Sequence, residues 1–129
     1  MTIRRCGLLA LLLAAAWTAQ PHSANAKMST WTCLYPRIAN ANGTREGQTL
    51  ELTFKIDDTT RKASVTSDAG TSNVELIAGK DGLTFIQALS SGAIQATTID
   101  ISGKSVHTRH TLLHGLLVPS QSYGNCRRG

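Results

Sequence analysis

Residues 50–56 have the sequence Leu-Glu-Leu-Thr-Phe-Lys-Ile, in which every second residue is large and apolar. Side chains of a β-strand alternate between its two faces, so this stretch predicts a strand with one face in a core and the other in water. The same period of two runs through Trp31, Cys33 and Tyr35 before Pro36 interrupts it. The chain is therefore expected to fold as an all-β domain.

Six further segments rich in apolar or β-branched residues follow, and Gly- or Asp-containing turn signals separate them. The segments are 61–67, 73–78, 83–89, 93–100, 105–113 and 116–118. Because successive turns are mostly about 10–12 residues apart, about eight antiparallel strands in up-and-down order are predicted. The polar interval 37–48 is expected to be a long exposed loop, and Pro119 to end a strand or place it on an edge. Residues 106–117 also fit helical spacing, so a short helix there stays open.

The first 26 residues have the three parts of a secretory signal peptide. Arg4 and Arg5 precede an apolar run over 7–17, and residues 24–26, Ala-Asn-Ala, have the small-x-small pattern that signal peptidase cleaves. The run is about half of the roughly 20 residues that cross a bilayer, so cleavage is expected rather than anchoring. The mature chain, 27–129, is then a single domain exported to the periplasm or the extracellular space, with no membrane span.

The charge of the chain indicates no particular polymeric partner. Its formal net charge of +5 falls to +3 once Arg4 and Arg5 leave with the signal peptide. The remaining Lys and Arg residues are scattered and aromatic residues make up 5% of the chain, whereas nucleic-acid binders usually combine a basic stripe with aromatic side chains. Nucleic-acid binding is not expected, and the charge supports only a weak attraction to anionic surfaces.

Cleavage removes Cys6 and leaves Cys33 and Cys126, which are expected to form a disulfide in an oxidising compartment. The chain-entropy model assigns roughly 4–5 kcal/mol to so long a loop. A redox pair would more often be Cys-x-x-Cys, and no further metal ligands are obvious near both cysteines. Because a bridge needs Cα atoms within about 7 Å, the first and last strands must meet, as in a small closed barrel or barrel-like sandwich.

Three histidines in one segment, His107, His110 and His114, are candidate metal ligands. On a strand, His107 shares a face with Arg109, while His110 and His114 lie on the other face. No nearby Asp, Glu or Cys completes the set, so surface or rim histidines with ordinary titration are expected, and no metal or cofactor is predicted. Asp57-Asp58 is a further cation candidate, although Asp favours turns and a turn is predicted there.

Catalytic motifs are missing from the sequence. Neither Gly-x-Ser-x-Gly nor His-Glu-x-x-His occurs, and most of the eight carboxylates lie in or beside predicted turns. We therefore expect no enzyme activity.

The stretch 118–126 is expected to be neither a regular strand nor a low-complexity tail. A bridge at Cys126 would hold it against the body, so that Gln121 and Tyr123 form a fixed rim. Tyr123 is then expected to pack over the disulfide and cap one end of the barrel. The alternative is that Gln121 and Tyr123 belong to a contact surface for a partner.

Several stretches together resemble small exported proteins of alphaproteobacteria that have no assigned function. They are 97–100, Gly103, 105–111 and 120–126. This resemblance covers mainly the last third of the chain and implies no activity.

Trp31-Thr32-Cys33 and Asn125-Cys126 are similar in outline to periplasmic C-type lysozyme inhibitors. Members of that family are small β-barrels with a signal peptide, and their early strand is bridged to a C-terminal cysteine. Their inhibitory loops carry Ser-Gly-x-x-Tyr and Lys-Gly elements. Here 91–95 lacks the tyrosine and Lys80 precedes Asp81, so the resemblance implies a barrel without that inhibitory site.

A rigid scaffold without a catalytic set predicts a non-catalytic binding module of the cell envelope or periplasm, acting through loops at one barrel end. One alternative is a small-ligand carrier of lipocalin-like type, because eight-stranded barrels can hold one small molecule. Another is an inhibitor of a secreted or envelope enzyme. Leu50, Leu52, Phe54 and Phe85 are expected to point inward and either fill the barrel or line a cavity. The partner would be a protein or a small ligand of the envelope, and the chain a monomer.

Overall fold

The computed structural model describes residues 27–129, and the predicted signal peptide lies outside the described residues. Eight strands form in chain order: β1 (Met28–Asn40), β2 (Gly43–Asp57), β3 (Ala63–Ser67), β4 (Gly70–Gly79), β5 (Gly82–Ala88), β6 (Ile94–Asp100), β7 (Lys104–Leu113) and β8 (Leu116–Arg128). Each strand pairs antiparallel with the next, and β8 pairs with β1 to close a barrel. The predicted all-β fold of eight antiparallel strands is thus confirmed. Within this part of the chain, no helix is long and apolar enough to cross a membrane.

The predicted disulfide lies at the seam where the first and last strands meet. Cys33 is directly opposite Cys126 in the β1–β8 ladder, with their Cα atoms 3.9 Å apart across 93 residues of sequence. Close by, Gly124 faces the point where the register shifts between Leu34 and Arg37. A Cβ atom on Gly124 would collide with the carbonyl oxygen of Leu34, so glycine is what allows the two backbones to approach.

The up-and-down order gives the barrel two unlike ends. The turns after β1, β3, β5 and β7 lie at one end, called here the hairpin end. The turns after β2, β4 and β6 lie at the other, the terminus end, together with residues 27 and 129. The core comprises Cys33, Tyr35, Leu52, Phe54, Ile56, Ala63, Phe85, Ile99 and Cys126, with Trp31 and Leu83 packed against it. At its centre the Phe54 and Phe85 rings stack with centroids 4.1 Å apart.

The interval 37–48 is not a loop, contrary to the sequence prediction. β1 and β2 continue through it as a hairpin that ends in a turn at Ala41-Asn42, followed by Gly43 with a φ of 106°. The part of β2 in this hairpin is polar and exposed on both faces. No apolar alternation marks it as a strand, which is why the pattern failed to predict it.

The last strand also extends further than predicted, because β8 runs through Pro119 to Arg128. Pro119 pairs with His110 of β7, one residue beyond the last β8 residue that pairs with β1. Its missing N–H is therefore not needed by the β1 ladder. Residues 106–117, where a helix stayed open, form the end of β7, the turn at His114-Gly115 and the start of β8.

Candidate ligand-binding site

A cavity of about 270 Å³ lies inside the barrel and reaches the turns of the hairpin end. Phe54 and Phe85 form its floor. Strands β2, β3 and β4 contribute an apolar wall of Leu52, Val65 and Val74, and strands β5, β6 and β7 contribute a polar wall of Gln87, Gln95, Thr97 and His107. Small residues around the β3–β4 turn and Arg109 of β7 surround the rim. The inward residues therefore fill only the half of the barrel towards the terminus end.

Hydrogen bonds between neighbouring strands hold the polar wall in place. Gln95 and Gln87 face each other across β5 and β6, and Gln95 Nε2 donates to Gln87 Oε1 at 3.1 Å. Thr97 and His107 face each other across β6 and β7, with 2.8 Å between Thr97 Oγ1 and His107 Nδ1. The four side chains form a fixed row of polar groups that a ligand would meet without reorganisation.

His107 is 4% exposed, which contradicts the expectation of a surface histidine with ordinary titration. Burial lowers the pKa of His107 to about 4, and the positive charge of Arg109 acts in the same direction. The imidazole is therefore neutral near pH 7, with one nitrogen as donor and the other as acceptor. The alternation placed His107 on the same face as Arg109, but it could not tell that this face is the interior.

Tyr35 extends the row of polar groups from the polar wall towards β1. Its ring centroid is 5.9 Å from that of His107, and its hydroxyl lies 2.8 Å from Ser105 Oγ. Ser105 Oγ in turn donates to the carbonyl oxygen of Thr98 at 2.8 Å. Burial raises the pKa of Tyr35 to about 12, against the opposing effect of the hydrogen bond with Ser105. Tyr35, like His107, is uncharged near neutral pH.

Arg109 is the only formally charged side chain that lines the cavity. It also lines an adjoining groove of about 780 Å³ between the β1–β2 hairpin and the β3–β4 turn. The one side-chain ion pair within residues 27–129 joins Lys80 and Asp81 at the terminus end. No carboxylate of the described residues lies within ion-pair distance of the Arg109 guanidinium, although Glu46, Glu51 and Asp68 line the same groove.

A second depression of about 310 Å³ lies at the terminus end, but its principal charged groups are already engaged. Buried Ser29 donates to both carboxylate oxygens of Asp58, at 3.0 and 2.7 Å, and accepts from Arg128 at 3.0 Å. This chain of hydrogen bonds ties β1, the β2–β3 turn and β8 together. We therefore interpret this depression as a place where hydrogen bonds stabilise the fold, and we look for a ligand site at the rim that carries Arg109.

The other histidines do not join His107. His110 and His114 are exposed, His114 in the turn between β7 and β8, whereas His107 is inside the barrel. Across residues 27–129, no three His, Cys, Asp or Glu side chains come close enough to hold a metal ion. At Asp57-Asp58, Asp57 Oδ1 accepts the backbone N–H groups of Thr59 and Thr60, an Asx turn that holds the pKa of this carboxyl below its usual range.

Gln121 and Tyr123 lie on the outer face of β8, opposite to the face that carries Cys126. The hydroxyl of Tyr123 donates to Gln121 Oε1 at 2.7 Å. Tyr123 borders a shallow groove with Pro36 and Val106. It therefore does not cap the barrel over the disulfide as expected, and its part in a partner surface stays a prediction.

Comparison with family models, with curated proteins and with solved structures finds no match for this chain. The two resemblances suggested by the sequence accordingly stay predictions. What indicates a function is the chemistry of the cavity and of the hairpin end.

Gln87, Gln95 and Thr97 were not identified as site residues from the sequence, although the alternation places them at inward positions. Gln87 lies two residues after the inward Phe85, and Thr97 two residues before the inward Ile99. A polar side chain at an inward position must meet another polar group or water. Inward positions occupied by Gln, Thr and His on three consecutive strands predict a polar interior surface.

Proposed function

We propose that this protein is a non-catalytic binding protein that holds a small anionic amphipathic molecule in the half of its barrel towards the hairpin end. The observation that supports this is the division of the cavity into an apolar wall, a polar wall and a rim with an unpaired Arg109. The signal peptide inferred from residues 1–26 supports export to the periplasm or beyond. The proposal corresponds to the small-ligand carrier that the sequence left as an alternative to a module binding through its loops.

The apolar wall selects the body of the ligand. Val65, Val74 and Leu52 face the cavity with the rings of Phe54 and Phe85 beneath them. Burying apolar surface contributes about 25 cal/mol per Å². The volume of about 270 Å³ is just below the range of about 300–1,000 Å³ that holds drug-sized ligands. A short acyl chain or a single aromatic ring fits this space.

Arg109 selects the head group. A guanidinium binds a carboxylate through two parallel N–H···O bonds, which are stronger than hydrogen bonds between neutral groups. The amides of Gln87 and Gln95 offer further polar contacts near the rim. The ligand class proposed is therefore a small carboxylic acid with its carboxylate at Arg109 and its apolar body against Val65 and Val74.

Isothermal titration calorimetry with three eight-carbon probes tests the class of ligand. Octanoate, octanol and octylamine share the apolar chain and differ in the charge of the head. We expect octanoate to bind best and octylamine not to bind. Equal heats from all three probes, or no heat from octanoate, would contradict the proposal.

Arg109→Gln tests the anchor and Arg127→Gln is its control, since Arg127 is exposed on β8 near the terminus end. A hydrogen bond to a charged group contributes about 1.5–3 kcal/mol, so Arg109→Gln should weaken octanoate binding by about tenfold or more. Arg127→Gln should bind as the wild type does. Equal loss in both variants would indicate a general charge effect rather than a site at Arg109.

A further inference from the structure

The β7–β8 hairpin projects beyond its neighbours at the hairpin end. β6 pairs with β7 only as far as His110, and β1 pairs with β8 only from Ser120 onwards. Residues 111–119 therefore form a two-stranded ribbon with no neighbouring strand on either edge. A ribbon of this kind has no core of its own, so most of its side chains are exposed, although the Leu112 side chain lies beside the β5–β6 turn at Gly92.

The end of this ribbon is apolar. We call apolar tip the residues Leu112, Leu113, Leu116, Leu117 and Val118, whose exposed fractions are 39, 53, 70, 64 and 41%. Leu112 pairs with Leu117, and Leu113 with Leu116. Successive pairs of a ladder face opposite sides, so both faces of the ribbon are apolar. Contiguous exposed apolar surface on a soluble protein marks an interaction site.

The two-sided character of the apolar tip indicates what covers it. A flat protein surface docking against the ribbon would cover one face and leave the other in water. A bilayer interface surrounds an inserted ribbon and covers both. The apolar tip extends two residue steps along β8, from Val118 to Leu116, or roughly 7 Å, which matches the depth of roughly 5–10 Å to which apolar faces enter a bilayer interface. The unpaired strand edges exclude deeper insertion into hydrocarbon.

The formal positive charge of β7 and β8 nearest to the apolar tip is that of Arg109, because Lys104, Arg127 and Arg128 lie towards the terminus end. No Asp or Glu occurs after Asp100, so β7 and β8 carry only neutral and basic side chains. Arg109 and His110 lie at the base of the ribbon, and His114 lies in its turn. The acidic residues of the hairpin end, such as Glu46 and Asp68, belong to other strands and turns, and they line the groove that Arg109 also borders.

We propose that the apolar tip docks the protein onto an anionic membrane surface by shallow insertion of the β7–β8 hairpin. The docking surface does not depend on a ligand in the cavity. When the protein is docked on a membrane and a ligand is bound, Arg109 and the cavity rim lie at the end of the barrel that faces the lipid.

Vesicle flotation with the mature chain, 27–129, tests the proposal. The vesicles are phosphatidylcholine alone or phosphatidylcholine with phosphatidylglycerol at 7:3. The wild type should float with the anionic vesicles and remain below with the neutral ones. Leu116→Asp combined with Leu117→Asp should reduce flotation at least tenfold. Ile77→Asp combined with Ile101→Asp is the matched control, because these isoleucines are 50 and 81% exposed near the terminus end and their loss should leave flotation unchanged.

A fluorescent variant separates insertion from adsorption. The mature chain contains one tryptophan, Trp31, near the terminus end. Leu116→Trp adds a second at the apolar tip, and its emission should be quenched by brominated phosphatidylcholine in the anionic vesicles. Ile101→Trp should show no added quenching. Absence of quenching in Leu116→Trp, flotation equal in the tip variant and the wild type, or a dimer that Leu116→Asp dissociates without any vesicle binding would overturn the proposal.

Discussion

His107 Nδ1 lies 2.8 Å from Thr97 Oγ1 across the β6–β7 ladder, inside the barrel. The centroid of the His107 ring is 5.9 Å from that of the Tyr35 ring. A histidine in this position cannot be protonated without placing a positive charge beside Arg109 in a poorly solvated interior. The pair therefore links the polar wall of the cavity to the stability of the whole barrel. It also gives the fold a measurable dependence on pH.

The first prediction concerns that pH dependence. The folded pKa of His107 is about 4 and the unfolded value about 6.5, so between these values only the unfolded state binds the proton. Stability contributed by neutral His107 is complete above the unfolded pKa and is lost as pH falls towards the folded pKa. Between about pH 7 and about pH 5 the free energy of unfolding should fall by about 2 kcal/mol.

Urea unfolding at a series of pH values measures this slope. His107→Asn removes the titration while keeping an amide that can bond Thr97, so it should flatten the curve in that window. His110→Asn, at an exposed position, controls for the loss of a histidine as such. If the free energy of unfolding of His107→Asn depended on pH as strongly as that of the wild type, groups other than His107 would cause the acid sensitivity.

The second prediction concerns the seam. Cys33 and Cys126 close a loop with a sequence separation of 93, for which the chain-entropy model gives about 4–5 kcal/mol. Replacing both cysteines with serine should lower the free energy of unfolding by an amount of this order. Guanidinium unfolding of the double variant beside the oxidised wild type measures it. Equal midpoints would mean that the β1–β8 ladder alone keeps the barrel closed.

The third prediction concerns the close approach at Gly124. A Cβ there would collide with the backbone of Leu34, so Gly124→Ala should cost about 2–4 kcal/mol through displacement of β1 from β8. Gly47→Ala is the matched control, since nothing lies within 4 Å of a Cβ at that position of β2. Its effect should stay within about 0.5 kcal/mol. Thermal melts that shift equally in the two variants would refute the steric account.

The fourth prediction concerns the cavity volume. Val74→Phe should fill part of the space between the apolar wall and the floor, because Val74 is half-buried and lines the cavity. Octanoate binding should weaken by about tenfold or more, because the added ring occupies volume that the ligand needs and the closely packed barrel cannot expand to replace it. Val118→Phe, at the exposed ribbon, serves as the size control. Undiminished binding by Val74→Phe would place the ligand elsewhere.

The strands and the closure of the barrel were predictable from the sequence. Alternation from Leu50 to Ile56 located a strand by itself, and the pairing of Cys33 with Cys126 required the first and last strands to meet. The hairpin over 37–48 was not predicted from the sequence, because a ribbon exposed on both faces has no apolar alternation. Strand pairing there follows from the local turn at Ala41-Asn42 before Gly43, which a search for apolar alternation does not detect.

The cavity could not be predicted for a different reason. A period of two tells that Gln95 and His107 share a face with Ile99 and Ser105, but not whether the space beyond them is filled. That depends on how far side chains from opposite strands reach across the barrel. Phe54 and Phe85 meet and stack, while Val65 and Val74 are too short to reach the polar wall.

The measurement that tests the central claim most directly is the position of bound octanoate by nuclear magnetic resonance. Isotope-filtered NOE spectra of residues 27–129 should show contacts from the terminal methyl of octanoate to Val65, Val74 and the Phe85 ring. The Nε–H signal of Arg109 should shift on titration. Contacts confined to the outer surface, or to residues of the terminus end such as Ile101, would contradict a ligand site inside the barrel.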